Sequence, residues 1–412
     1  MNSRPPYLST AWLMVVLLVP VALLNYLDRQ MLAAMKSSMM ADLTTIRPAS
    51  AEEATWGLIL GTFKWVYAIF SPLGGYFSDR SSRKKIIVVS LLVWSAVTWY
   101  TGQVHNYSEL LLTRGLMGIS EAFYIPAALA LLTDWHEDTT RSRATGCHQM
   151  GIYLGVILGG FAGYAAETPS LGWRGAFTWC GLVGLLYAVP LMYFLQDPPA
   201  SQTSTPRPGL GATVRALRQN RNFLLLVLYF TLPALAGWII KDWMPEILRT
   251  QFKLAQGPAG MSAVLYVQIA SIAGVILGGW WADRWMRTQV RGRIFVSACG
   301  MALFLPALFG IGHATTLATA IGFLILFGLG WGCFDCNNMP ILSQLVEPHY
   351  RATAYGLMNL LSISCGGLAD WGFGALRDAA VPLNLIFGIF AGVALLSIGV
   401  VLAIKPKPTP PA

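Results

Sequence analysis

Long apolar segments separated by short polar loops dominate this 412-residue chain. About twelve of them are long enough to cross the ~30 Å hydrocarbon core of a bilayer. Their approximate spans are 10–34, 54–78, 85–105, 108–132, 142–166, 174–196, 222–248, 260–282, 292–312, 316–344, 352–376 and 382–404. The first run is too long for a removed signal peptide and lacks a small-residue cleavage site. The pattern predicts an all-α membrane protein with twelve transmembrane helices.

Composition and charge agree with a membrane protein. Hydrophobic residues make up 55% of the chain and charged residues 11%, against about 25% charged in soluble domains. With the N-terminus placed in the cytoplasm, most of the 28 Lys and Arg residues fall on the cytoplasmic side. Both termini are therefore predicted to be cytoplasmic, and the protein is predicted to lie in the inner (plasma) membrane. The net charge of +9 is an orientation and lipid signal and does not indicate a nucleic-acid partner.

Enzymatic and cofactor signatures are not found in the sequence. The 6 cysteines lie in or beside apolar segments, which favours packing over metal or redox chemistry. No P-loop, nucleophile elbow or HExxH stretch occurs. We expect neither an enzyme nor a bound cofactor.

The chain divides into two similar halves. A polar, Pro-, Ser- and Thr-rich stretch at 197–220 predicts a cytoplasmic linker between six-helix bundles at 1–196 and 221–412. The loop GYFSDRSSRKK (75–85) is echoed by GWWADRWMRTQVRGR (279–293). A parallel internal repeat is typical of transporters.

Several motifs resemble the major facilitator superfamily. GYFSDRSSRK resembles its loop signature, with Ser82 replacing a glycine, and RGLMGISEA (114–122) resembles its fourth-helix signature. Gly151, Gly155, Gly159 and Gly163 resemble the glycine ladder of its fifth helix. The resemblance implies the major facilitator fold, with two six-helix pseudo-symmetric bundles.

Other motifs narrow the choice within that superfamily. NYLDRQ (25–30), WMPEIL (243–248) and RATAYGLMN (351–359) resemble the anion:cation symporter branch, which includes galactonate, hexuronate and vesicular glutamate transporters. The first- and fourth-helix motifs also resemble Spinster-type lysolipid transporters. The substrate class therefore stays open between anions and lipids.

Four charged residues in helices 1 and 4 are candidates for proton coupling and anion binding. Asp28 and Arg29 are neighbours that point about 100° apart, and Arg114 and Glu121 are two turns apart on one face. We expect Asp28 to pair with Arg114, leaving Glu121 as a protonatable acid without a fixed partner. By resemblance, Asp28, Arg114 and Glu121 carry proton coupling. The alternative is an ion pair that only locks two helices together.

Arg29 and Lys64 are predicted to form a positive site for an anion. Lys64 lies about 10 Å into the second span, where a charge costs about 2.5–3.5 kcal/mol on insertion scales. Tyr67 follows one turn later, and Tyr26 precedes Arg29 by one turn, so their hydroxyls could reach a substrate. The alternative for Lys64 is a side chain that extends to the interface.

Further substrate contacts are predicted in both halves, each with packing as its alternative. They are Gln149 (or its neighbour His148), Asn359, Lys241 and Trp331. Lys241 could pair with Asp370 or with the adjacent Asp242. Asp335 in the tenth span has no partner that the sequence suggests.

The cytoplasmic loop residues are predicted to act in gating. They are Asp79, Arg80, Arg83, Asp283 and Arg284. We expect Asp79 to accept hydrogen bonds from the N-terminus of the third helix, and Arg80 and Arg83 to reach the opposite half. The alternative is ordinary orientation charge.

Together these features predict a monomeric, proton-coupled symporter that imports small organic anions, such as sugar acids or related carboxylates, by alternating access. Its partners would be the anion, protons and the lipid bilayer. The alternatives are a Spinster-type lysolipid or amphiphile transporter and a membrane sensor that moves no solute.

Overall fold

The computed structural model describes residues 6–43, 52–78, 80–136, 138–197, 210–347 and 350–406, and these residues form helices joined by short turns. The helices are α1 (Pro6–Ala34), α2 (Lys36–Asp42), α3 (Glu52–Ser78), α4 (Arg83–Thr101), α5 (Tyr107–Glu121), α6 (Tyr124–Trp135), α7 (Asp138–Gly160), α8 (Ala162–Glu167), α9 (Gly172–Phe194), α10 (Leu210–Gln219), α11 (Arg221–Phe252), α12 (Gln256–Met286), α13 (Gly292–His313), α14 (Leu317–Leu345), α15 (Arg351–Asp378) and α16 (Leu383–Ala403). The predicted all-α class is confirmed.

The described residues contain twelve long helical segments, the number predicted from the sequence. Ten segments are long and apolar enough to cross a bilayer by length and composition. The other two are α4 and α15, with 19 and 28 residues, and their sequences are more polar. Two spans are interrupted: α5 and α6 form one span with a break at Ala122–Phe123, and α7 and α8 meet at Phe161.

The chain forms two compact units. The first comprises Met1–Pro48, Thr62–Ser204 and Leu254–Met261, and the second comprises Ala49–Gly61, Thr205–Lys253 and Ser262–Ala412. Of the predicted linker, residues 198–209 lie outside the described residues, and Leu210–Gln219 form α10.

The same helix pairs pack in each unit. In the first unit α1 packs along α7, and α4 along α9; in the second, α11 packs along α15, and α13 along α16. Each packed pair in the second unit lies six spans after its counterpart in the first unit. The internal repeat seen in the loops therefore extends to the helix packing. This agrees with the pseudo-symmetric bundles of the predicted fold.

Glycines bring α7 into close contact with α1. A Cβ added to Gly151 would lie 2.6 Å from the carbonyl oxygen of Val19, and one added to Gly159 would lie 2.7 Å from that of Leu27. Gly155 meets the carbonyl of Leu23 in the same way. Three glycines of the predicted ladder therefore form the surface on which α1, and the charged residues it carries, are positioned. The fourth, Gly163, instead meets the carbonyl of Gln256 at the start of α12.

One carboxylate in each unit caps the start of a spanning helix. In the second unit, Asp378 at the end of α15 accepts hydrogen bonds from the amides of Glu53 (3.0 Å) and Ala54 (2.8 Å) in the first turn of α3. In the first unit, Glu167 at the end of α8 accepts from the amides of Gln256 and Gly257 in the first turn of α12. Both caps satisfy backbone amides that a helix start leaves without partners.

Candidate functional site

A buried ion pair joins the first and fourth spans in the first unit. The Nε of Arg29 lies 2.5 Å from Oε2 of Glu121, with the Arg29 side chain 12% exposed and that of Glu121 fully buried. Glu121 is the last residue of α5 and stands at the break before α6. The expectation that Glu121 lacks a fixed partner is wrong. Two opposite charges away from water are more stable together than apart, and Arg29 is long enough to cross between the helices.

Three aromatic rings surround the Arg29 guanidinium. Its Cζ lies 4.7 Å from the ring centroid of Tyr26, 4.8 Å from that of Phe63 and 4.9 Å from that of Tyr67. These distances are within the range of cation–π attraction. Tyr26 and Tyr67 were predicted to line the site, whereas Phe63 was not, because nothing in its spacing separates it from packing residues.

Gly118 allows α5 to approach α3 at this point. A Cβ there would lie 2.8 Å from the carbonyl oxygen of Phe63 and 3.0 Å from the amide nitrogen of Tyr67. Gly118 stands one turn before Glu121 on α5. The close approach therefore places the acid of α5 beside the aromatic rings of α3.

Asp28 and Arg114 are buried, but they do not form the direct ion pair that the sequence suggested. Within the described residues, Asp28 accepts a hydrogen bond from the hydroxyl of Thr98, and Nη2 of Arg114 donates to Oγ1 of Thr101 at 3.2 Å. The two charges still attract one another electrostatically. Both threonines lie on α4, and nothing in the sequence of that helix marks them as site residues.

Lys64 is buried in the interior of the first unit. It is 3% exposed, and Tyr67, one turn later on α3, is 8% exposed. A lysine whose side chain extended to the interface would be accessible, so the snorkelling alternative does not describe this residue. The structure thus keeps a cationic side chain inside the span, next to Phe63 of the aromatic group.

In the fifth span, His148 is buried and hydrogen-bonded within the protein, so it is not available to donate to a substrate. His148 is 1% exposed, and its Nε2 lies 2.9 Å from the hydroxyl of Tyr124 on α6. The Tyr124 hydroxyl also donates to the carbonyl of Leu18 at 3.2 Å. This network fastens α1, α6 and α7 to one another. Gln149 is half-buried, and its contact with substrate stays a prediction.

The predicted residues of the second unit lie among aromatic side chains. Trp331 is half-buried, and its ring centroid is 5.3 Å from that of Phe334. The amine of Lys241 lies 5.4 Å from the ring centroid of Trp238, and Asn359 is half-buried. Substrate contact by Trp331, Lys241 and Asn359 stays a prediction.

The predicted gating residues make local contacts where they are described. Arg83 donates to the carboxylate of Asp134 and to the carbonyl of Ala130, both on α6. Arg80 lies 3.7 Å from the ring centroid of Tyr76. Asp283 pairs with Arg293 at 2.9 Å, and Arg284 is exposed. Asp79 lies outside the described residues, and the gating roles stay predictions.

Comparisons with known proteins identify the fold and its relatives. The family model of the Major Facilitator Superfamily matches residues 18–369. Protein spinster homolog 1 of Bos taurus is 29% identical over 85% of this chain and 70% of its own length. The probable L-galactonate transporter of Escherichia coli (strain K12) is 24% identical over 90% of this chain and 84% of its own.

A solved structure shows the same architecture over the whole chain. The crystal structure of a bacterial homologue to human lysosomal transporter Spinster, inward-facing and unoccupied, superposes with a TM-score of 0.77 at 19% identity. It covers 99% of this chain and 100% of its own. The relatives include both groups that the sequence motifs resembled, so that resemblance is confirmed.

Proposed function

Because the chain belongs to the Major Facilitator Superfamily, we propose that it is a proton-coupled symporter that imports small organic anions, such as sugar acids or related carboxylates, by alternating access. The family and the fold are those of a multi-pass membrane transporter and not of an enzyme. The support for proton coupling comes from the ion pair between Arg29 and Glu121.

Arg29 can neutralise one anion at a time. While Glu121 is ionised, it holds the guanidinium at 2.5 Å. A proton on Glu121 removes that negative charge and leaves Arg29 available to a substrate carboxylate. The Arg29–Glu121 pair of the empty site and the Arg29–anion pair of the loaded site, in which Glu121 is protonated, have the same net charge. Binding of either the proton or the anion alone leaves one buried charge without compensation. Each ligand therefore favours binding of the other, which is the linkage that symport requires.

Lys64 and the two tyrosines supply the rest of the proposed site. The buried amine of Lys64 offers a second positive charge in the first unit, and an anion gains from it where a neutral sugar does not. The hydroxyls of Tyr26 and Tyr67, whose rings flank Arg29, are suited to the hydroxyl groups of a sugar acid.

The test is uptake of labelled L-galactonate by proteoliposomes that have an acidic exterior. The intact protein should accumulate galactonate and acidify the lumen when galactonate is added outside. Glu121→Gln should lose proton-driven accumulation and keep counterflow exchange, since glutamine neither takes up a proton nor neutralises Arg29. Lys64→Ala should abolish uptake while the protein stays folded.

A matched control is Glu109→Gln, which alters an acid three turns earlier on the same helix. Glu109 accepts hydrogen bonds from the amide of His105 and the side chain of Asn106, so it is engaged locally. Normal accumulation by Glu121→Gln would place the coupling acid elsewhere, and normal uptake by Lys64→Ala would remove Lys64 from the site.

A lysolipid or amphiphile carrier is the second candidate function. It is favoured by the Spinster relatives, which are 25–29% identical to this chain, and by the first- and fourth-helix motifs. A thermal-shift screen of the purified protein against sugar acids, monocarboxylates, dicarboxylates and lysolipids separates the two. Stabilisation by lysolipids alone would replace the anion proposal.

The proposal also covers the membrane orientation and the oligomeric state of the protein. We place both termini in the cytoplasm, on the basis of the Lys and Arg distribution. The proposal also takes the protein to be a monomer in the inner (plasma) membrane. Membrane-impermeant labelling of a cysteine added at the C-terminus should occur only after the membrane is opened.

A further inference from the structure

A carboxylate that the proposed mechanism does not use lies inside a membrane span of the second unit. Asp335 is 10 residues, or about 15 Å, from the C-terminal end of α14 and still farther from the other end. Its side chain is exposed. A charge facing hydrocarbon at such depth is energetically unfavourable, so intramembrane acids usually face a cavity or a ligand.

Asp335 stands at a groove between the surfaces by which α14 contacts its neighbours. Gly328 and Gly332 pack α14 against α12, and Trp331 packs it against Gly237 of α11. At 100° per residue, Asp335 is about 40° from Trp331 and about 60° from Gly332 around the helix. The carboxylate therefore emerges between the face that meets α11 and the face that meets α12.

The surroundings of Asp335 contain aromatic rings and no positive partner. Within the described residues, Asp335 has no hydrogen bond or ion pair. Trp331, one turn earlier, is half-buried, as is Phe230 of α11, whose ring lies 6.3 Å from that of Phe334. Aromatic faces and a lone carboxylate both attract cations.

A second unpartnered group lies on the same face of α14. Asn338, one turn after Asp335, is 3% exposed, and neither its amide nitrogen nor its oxygen has a hydrogen-bond partner in the described residues. Buried amides without partners are rare in folded proteins. Asn338 thus indicates that this face is prepared for a polar ligand rather than for packing.

We propose that Asp335, with Trp331 one turn earlier on the same helix, binds the ammonium group of an organic cation or of a substrate that carries one. A metal ion is a poorer match, because hard cations require several oxygen ligands. The described residues contain no group of three His, Cys, Asp or Glu side chains that could hold a metal. An ammonium group is satisfied by one carboxylate and aromatic faces. The inference goes beyond the proposed function, whose charged residues lie in the first unit.

The experiment uses choline as a probe and 3,3-dimethylbutan-1-ol, which has carbon in place of the charged nitrogen, as its neutral equivalent. The unfolding temperature of the purified protein is followed against each compound at constant ionic strength set with potassium chloride. Choline should raise it in a saturable way and the neutral compound should not. Asp335→Asn should increase the half-saturating choline concentration at least tenfold, and Trp331→Leu severalfold.

Two variants serve as controls. Met339→Leu changes the other exposed side chain of this turn and should leave choline binding unchanged. Asp335→Glu keeps the charge and should retain binding, which protects the test if Asp335→Asn folds poorly. Equal stabilisation by the neutral compound, displacement of choline by millimolar sodium, or an unchanged response in Asp335→Asn would each overturn the proposal. So would the absence of any choline effect on the intact protein. Glu121→Gln should not alter choline binding, which separates this test from that of the proposed function.

Discussion

The two units share a helix-packing pattern and differ in the polar side chains that their spans carry. The first unit holds ionised side chains that have partners: Arg29 with Glu121, Asp28 with Thr98 and Arg114 with Thr101. In the second unit, the corresponding tenth span holds Asp335 and Asn338, which have no hydrogen-bond partner in the described residues. The repeated fold therefore carries two kinds of polar site. In one, the polar side chains are partnered by other side chains of the protein, and in the other they are left for a ligand.

The largest predicted effect tests whether Arg29 and Glu121 neutralise each other in the first unit. Arg29→Ala removes one partner of a buried ion pair and strands Glu121, which should lower the free energy of unfolding by about 3–5 kcal/mol. The Arg29→Ala/Glu121→Gln double variant should recover much of this loss, because no lone charge is left buried. The measurement is unfolding in a graded denaturant or detergent series for the wild type, both single variants and the double variant. Additive losses would mean that the two side chains are not coupled.

The hydrogen bond to Asp28 should have the next largest effect. Thr98→Val keeps the shape of the side chain but removes the hydroxyl that donates to the buried carboxylate. Hydrogen bonds to charged groups contribute about 1.5–3 kcal/mol, and stability should fall by that amount. In the second unit, Asn338→Leu removes a polar side chain with no partner and should be neutral or stabilising. A loss as large as that of Thr98→Val would show that Asn338 is engaged, against the contrast between the units.

A pair of glycines on α5 gives a third prediction. Gly118→Ala places a methyl group 2.8 Å from the carbonyl of Phe63, whereas nothing lies within 4 Å of a Cβ at Gly115. Overpacking typically costs about 1–3 kcal/mol, so Gly118→Ala should destabilise the protein and reduce uptake. Gly115→Ala should have little effect on either. Equal effects would mean that helix propensity, and not the approach of α5 to α3, determines the outcome.

The fold could be predicted from the sequence because the features that indicate it extend over many residues. Apolar length, loop charge and the repeated loop motifs each integrate over many residues, so the twelve spans could be predicted without knowing any contact. The glycine ladder at Gly151, Gly155 and Gly159 was also predictable, because a small residue every fourth position marks one helix face.

The site was predicted less completely because its pairing depends on distances between helices. The sequence left Glu121 without a partner, because nothing along the chain shows that Arg29 reaches across to α5. Phe63 and Thr98 look like ordinary residues of apolar spans, and only the placement of α3 and α4 brings them to Arg29 and Asp28. A buried charge in the sequence therefore indicates that a partner exists without identifying it.

The smallest predicted effect concerns what the two units have in common. Asp378 caps the start of α3 in the second unit and Glu167 caps the start of α12 in the first. Asp378→Ala and Glu167→Ala should each cost about 0.5–2 kcal/mol, the usual range for a lost helix cap. The two losses should be similar, because both caps occupy equivalent places in the repeat. Asp283→Ala, which removes an exposed ion pair with Arg293, is the control and should cost about 0–1 kcal/mol. Denaturant midpoints of the three variants provide the comparison. If only one cap variant lost stability, two carboxylates in matching positions would contribute differently to stability. The units would then be equivalent in helix packing but not in capping.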